Sequence, residues 1–129
     1  MIRFLSLCLV LSSFFLASAQ SSTMKRKYRG IYSGSIGTYQ AIIGNKEVSV
    51  MKQELQVELS KDSLVMEVGK YRYANTYLVV KTAVGYELHF ERPDSGIEEV
   101  LLLDPKLKTM LRKGLFPQPD ALLTKQKKK

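Results

Sequence analysis

The sequence predicts an all-β domain: an antiparallel up-and-down barrel of about eight short strands, with an open β-sandwich as the alternative. Three observations lead there. Apolar and polar residues alternate with period two through most of the chain, as they do along strands with one buried face. The alternating segments are separated by turn signals of hairpin length, such as "KDS", "GK" and "PDSG". No stretch between residue 20 and Pro119 carries a sustained 3.6-residue repeat. Short connections favour a meander over a Greek key, and closure removes the exposed edges that would make such a chain aggregate. About eight strands is also the count at which a barrel closes around a filled interior or one small ligand.

Taken in order, "GIYSGSI" and "YQAII" come first, punctuated by Gly30, Gly34 and Gly37. A glycine-rich phosphate loop would have to lead into a helix. Here β-type residues follow, so the glycines mark bends, bulges or a close backbone approach. Beyond the Gly44-Asn45 turn, "EVSVM" precedes "ELQVELS", in which Leu55, Val57 and Leu59 share one face. In "LVMEV" the matching residues are Leu64, Met66 and Val68, completing a hairpin. "YRYANTYLVVK" reads as one bulged strand or two short ones, interrupted at Asn75. "YELHFER" sets Tyr86, Leu88 and Phe90 opposite Glu87, His89 and Glu91; "IEEVLLLD" and "LKTMLRK" follow. The expected organisation is a signal peptide over residues 1–19, a basic lead over 20–29, the barrel over 30–113, and a C-terminal extension with a basic tail over 114–129.

The N-terminus reads as an export signal. A positive start (Met1-Ile2-Arg3) leads into an apolar run from Phe4 to Leu16, then the small-residue site Ala17-Ser18-Ala19, with cleavage expected after Ala19. The run is shorter than the roughly 20 residues of a permanent membrane helix, and no later segment could span a bilayer as a helix. The only cysteine, Cys8, lies inside it, so the remaining 110 residues hold no disulfide and no thiol chemistry. A small exported domain without disulfides fits a bacterial periplasm or exterior, so the expected location is secreted or periplasmic.

The formal net charge of +8 is concentrated at the ends. Lys25, Arg26, Lys27 and Arg29 precede the first strand, Lys125 and Lys127 to Lys129 form the tail, and residues 30–124 hold 11 basic and 12 acidic side chains. A nucleic-acid-binding face would spread its cations over the folded surface, often interleaved with aromatics, so nucleic acid is not expected as a partner. The basic ends are either solvated extensions or contacts to an anionic envelope surface, where each lysine near the surface contributes about 1 kcal/mol.

Gly30-Ile31-Tyr32 at the opening of the first strand, with Arg112 in the last expected strand, resembles the lipocalin and wider calycin arrangement. In that family a G-x-W opens the first strand, and its aromatic is covered by an arginine or lysine from the final strand. The resemblance implies that Gly30, Tyr32 and Arg112 close one end of the barrel and do not contact a ligand. Tyr32 stands where the family carries tryptophan, and the chain has no cysteine pair. Small lipocalin-like barrels of bacterial envelopes fit its size.

Catalytic constellations are scarce, and no catalytic residue, metal site or cofactor is expected. His89 is the only histidine; Glu87 and Glu91 alternate with it on what reads as an exposed strand face. Glu98 and Glu99 are adjacent, so on a strand they face opposite ways. The seven tyrosines are the more informative signal. Pointing inward, Tyr71, Tyr73 and Tyr86 with Leu88 and Phe90 would line a pocket for a lipid or other apolar small molecule. Pointing outward or sitting at the rims, they would leave a filled core. Two function classes follow: a carrier with its ligand inside the barrel, or an envelope structural or interaction protein with a filled core and basic ends. "GLFPQPDALLTK" would either plug a barrel mouth or engage a partner.

Overall fold

The computed structural model of the chain describes Gln20, Ser21 and residues 23–127. The expected signal peptide, Cys8, Lys128 and Lys129 lie outside the described residues. Among the described residues, twelve strands and one 3-10 turn (Arg26–Tyr28) are present. The strands are β1 (Gln20–Ser21), β2 (Gly30–Ile36), β3 (Tyr39–Ile43), β4 (Lys46–Val50), β5 (Gln53–Leu59), β6 (Leu64–Val68), β7 (Tyr71–Asn75), β8 (Tyr77–Lys81), β9 (Tyr86–Glu91), β10 (Glu98–Asp104), β11 (Thr109–Arg112) and β12 (Ala121–Lys125).

The expected all-β, antiparallel barrel is present and nearly closed. Strands β2, β5, β6 and β7 follow one another by antiparallel pairing, as do β8 to β12, and β12 returns to pair with β2. Every pairing in the ladder is antiparallel, so β7 and β8 run in the same direction and form two halves of one bent run that turns at Thr76. The first half pairs with β6 and the second with β9. At the bend the Asn75 side chain donates to the Glu91 carbonyl (2.9 Å) and accepts from the Thr76 N–H (2.8 Å). The pair Gln20–Ser21 lies on the other edge of β8, against Val79 and Val80.

Two segments sit elsewhere than expected. The strands "YQAII" and "KEVSV" leave the barrel and pair only with each other, as the separate hairpin β3–β4. Alternation identifies a strand but not the sheet it joins. Conversely, Ala121–Lys125, expected in an extension beyond residue 113, supply the strand that closes the barrel between β11 and β2. Closure also explains Gly34: a Cβ there would overlap the Leu122 carbonyl oxygen and the Leu123 side chain. Only a residue without a side chain lets β12 approach β2 this closely.

The inward faces form one apolar cluster. Leu55, Val57 and Leu59 face Leu64, Met66 and Val68 across the β5–β6 hairpin, and Leu88 and Phe90 meet Leu101, Met110 and Leu123 from β10 to β12; each is buried. At about 25 cal/mol per Å² of apolar surface removed from water, this cluster is the main source of the fold's stability.

Candidate functional site

Turns in a meander alternate between the two ends of the barrel, so the register sorts the charges. At one end lie the lead 25–29, the β5–β6 turn, the β8–β9 turn, the β10–β11 turn and the residues after β12. These segments carry Lys25, Arg26, Lys27, Arg29, Lys61, Lys106, Lys108 and Lys127 against Asp62, and the bordering strand ends add Lys81 and Lys125 against Asp104. The two basic clusters that are far apart in sequence therefore meet in space: the Lys125 ammonium donates to the Lys27 carbonyl at 2.8 Å.

The lead is anchored across this mouth by buried groups. Met24 is 2% exposed, and its N–H donates to the Tyr77 hydroxyl (3.2 Å), which lies 2.6 Å from the Ser60 carbonyl oxygen and 2.9 Å from that of Lys61. Arg29 Nε donates to the Met24 carbonyl at 2.9 Å. The Tyr32 hydroxyl donates to the Tyr28 carbonyl at 2.6 Å. Burial, followed by the neighbouring Tyr28, pushes the Tyr32 hydroxyl up to about 12, and burial likewise raises that of Tyr77.

Beside this anchor opens a cleft of about 350 Å³. Its cations are Lys27, Lys108 and Lys125; its aromatic walls are Tyr28 and Tyr32, and Leu103 and Pro105 extend the apolar part. The Lys27 ammonium sits 5.0 Å above the Tyr28 ring, and that ring packs against Tyr86 with centroids 5.5 Å apart. Asp104 also borders the cleft, but its Oδ1 accepts the backbone N–H groups of Lys106 (3.0 Å) and Leu107 (3.2 Å). That turn places Lys108 at φ 54°, in the left-handed region that a side chain with a Cβ seldom occupies.

The opposite end is built differently. Arg112 and Glu99 are inside the barrel at 0% and 1% exposure, joined by hydrogen bonds from Nε (3.0 Å) and Nη2 (2.7 Å) to Glu99 Oε1, and from Nη2 to Oε2 (2.9 Å). Arg92 adds a bond to Glu99 Oε2 at 3.2 Å, and Arg112 Nη1 donates to Gln118 Oε1. The 113–120 loop is tied by Asp120, which accepts from the Gly114 N–H (2.8 Å) and the Lys113 ammonium (3.0 Å). Those two donors, the backbone one foremost, hold the Asp120 carboxyl below its ordinary range. Phe116, at the tip of this loop, is fully exposed.

The residues anticipated from sequence are distributed between these regions. Leu88 and Phe90 are at 0% exposure in the core. Tyr71 is exposed beside the β6–β7 turn, Tyr73 lies half-buried beneath the Arg92 guanidinium (4.9 Å), and Tyr86 packs at a tilt of 49° against Tyr28 at the basic mouth. These five do not surround one cleft. Gly30 and Tyr32 stand at the basic end, but Arg112 does not cover Tyr32. Tyr32 is in register with Lys125 and Arg112 with Ala121, four residues apart on β12 and so about 13 Å along the strand. The basic side chain over the G-x-aromatic start is Lys125, whose Cε lies where a Gly30 Cβ would reach 3.1 Å. His89 is held between Glu87 (2.8 Å) and Glu98 (2.5 Å), while Glu98 and Glu99 face opposite sides of β10. No group of three metal-ligating side chains occurs among the described residues.

Sequence reading missed Lys27, Tyr28, Lys108 and Lys125 as parts of one site. The available signal was Tyr28 embedded in the basic lead, but Lys108 and Lys125 lie 80 and 97 residues further along the chain. No protein-family model, no curated protein and no solved structure significantly matches the chain.

Proposed function

We propose that this chain is an exported, non-enzymatic interaction protein: a lipocalin-like barrel with a filled interior that engages anionic envelope surfaces through its basic end. The observation that carries the reading is the convergence of the two basic termini of the domain, sealed by the Lys125–Lys27 bond, on a single mouth. Ten cations against two carboxylates on one end make a directed positive field, whereas the wall of the barrel is close to neutral. The lipocalin-like part of the reading is supported by Gly30-Ile31-Tyr32 at the start of the first barrel strand, with a lysine of the final strand lying over Gly30. The carrier alternative, with an apolar ligand inside the barrel, has less support, because Leu88, Phe90 and their neighbours are packed against one another as a core.

The test is co-sedimentation with vesicles of phosphatidylglycerol and phosphatidylcholine at low and high salt. Binding should require the anionic lipid and weaken steeply as salt rises, since exposed charges are screened within about 8 Å at physiological ionic strength. The pair Lys25→Glu and Arg26→Glu should abolish it, while Lys70→Glu at the far end should leave it intact. Equal loss from the far-end variant would overturn the assignment to this mouth. Native mass spectrometry of protein from its own envelope tests the carrier alternative: a co-purified lipid that survives both basic-end changes would favour it.

A further inference from the structure

We propose that the cleft between the 3-10 turn, the β10–β11 turn and the end of β12 is a binding site for one anionic amphiphile, a phosphate or carboxylate headgroup bearing an apolar tail or ring. The inference rests on the preceding reading of the basic end and narrows it from a charged surface to a defined recess.

The sign of the ligand follows from the donors. Lys27, Lys108 and Lys125 bring three ammonium groups to the cleft, and Lys27 and Lys108 form no ion pair among the described residues. Asp104, the one carboxylate on the rim, is engaged by two backbone N–H groups of its own turn. Two of the amines are held in place before any ligand arrives. Lys27 rests on the Tyr28 ring, and Lys125 is bonded to the Lys27 carbonyl. Such preorganisation lowers the ordering cost of binding.

The amphiphilic character follows from the walls. Tyr28 and Pro105 supply flat and aliphatic surface beside the amines, with the buried Tyr32 and Leu103 behind them. A volume of about 350 Å³ stands at the lower end of the range for small-molecule sites. It accommodates a headgroup and the first part of its apolar body, with the rest leaving through the mouth. Lys108 is the third argument. It holds a left-handed backbone conformation that asparagine or glycine would occupy with less strain, and it places a cation on the rim.

The experiment is isothermal titration of the mature chain with monododecyl phosphate below its micellar concentration, with inorganic phosphate and dodecyl maltoside in parallel. One dodecyl phosphate should bind per chain, inorganic phosphate should bind at least about tenfold more weakly, and the neutral maltoside should not bind. Lys108→Asn and Tyr28→Ala should each weaken dodecyl phosphate by about tenfold. Lys108→Asn should do so with a melting temperature equal to or above that of the parent, which separates loss of the site from loss of the fold. Maltoside binding as tight as dodecyl phosphate, or a Lys108→Asn chain with undiminished affinity, would overturn the proposal. A chain that binds anionic vesicles but not dodecyl phosphate would overturn the cleft and leave the basic-end reading standing. Competition between phosphatidylglycerol vesicles and dodecyl phosphate would support the site with a membrane headgroup as its source; simultaneous binding of both would support it with a soluble anion.

Discussion

The two ends of this barrel solve the same problem, covering an apolar interior, by opposite means. At the Glu99–Arg112 end, opposite charges are buried and spent on each other: three hydrogen bonds join them, and Arg92 and Gln118 take up remaining capacity. At the basic end the cover is made of tyrosines, Met24 and backbone carbonyls, and the charges stay outside, largely of one sign. A buried pair satisfied internally contributes to holding the fold and has little left to offer a partner. An array of solvated like charges costs some stability through self-repulsion and retains its capacity to bind.

The largest effect should come from breaking the buried pair. Arg112→Ala strips the buried Glu99 of three of its hydrogen bonds and leaves it only the longer bond from Arg92, and urea denaturation should show a loss of about 3–5 kcal/mol. The double change Glu99→Leu with Arg112→Met should recover most of that loss. A double variant as unstable as the single one would show that the pair contributes more than mutual neutralisation.

At the basic end the corresponding stress is alkaline pH. The Tyr32 hydroxyl ionises at about 12 in the folded chain against 10.0 for an ordinary tyrosine. Its folded-state pKa is raised, so the stability linked to its neutral form is fully present below pH 10. That contribution is lost as the pH climbs from 10 through about 12 and amounts to roughly 2–3 kcal/mol. Tyr77 is shifted in the same direction. Absorbance at 295 nm should therefore show Tyr32 and Tyr77 ionising late, together with unfolding. An alkaline titration with no late-ionising component would contradict the buried arrangement.

Smaller again is Tyr77→Phe, which leaves the buried Met24 N–H without its acceptor and should cost about 1–3 kcal/mol. It should also release the lead from the mouth, seen as faster amide exchange at residues 24–29. The smallest effect runs the other way: Lys108→Asn relieves a left-handed lysine and should raise stability by up to about 1 kcal/mol. A clear loss of stability would mean that the Lys108 side chain holds the turn and is not reserved for the cleft.

Much of the fold was readable because its signal is local. Leu55-x-Val57-x-Leu59 and Leu64-x-Met66-x-Val68 alternate within single strands, and their inward faces are the ones buried. β12 was not readable in this way. Ala121-Leu122-Leu123 has no strand preference of its own, and its state is set by pairing with Arg112, Leu111 and Met110 on one side, while Thr124 and Lys125 extend the strand onto Ser33 and Tyr32 on the other. The candidate site was harder still. Charge at the two ends of the domain was plain in the sequence, but only barrel closure places Lys125 against Lys27. Likewise, the identity of Arg112's partner depends on inter-strand register: Leu101 stands opposite Arg112, and Glu99 is two residues further along β10, on the same inward face.

The seam between β12 and β2 carries one more consequence. Ser33 and Tyr32 meet Thr124 and Lys125 across more than ninety residues of chain, and this short ladder, with the bonds from Lys125 to Lys27 and from Gln126 to Ile31 beside it, joins the two ends of the meander. Contacts of such sequence separation form late, after the intervening loop entropy has been overcome. As the chain folds, β2 and β11 each keep an open edge until β12 docks between them, and the same lysine that completes the barrel then completes the basic cleft. The proposed site is therefore timed to folding: it cannot exist in any chain that has not closed.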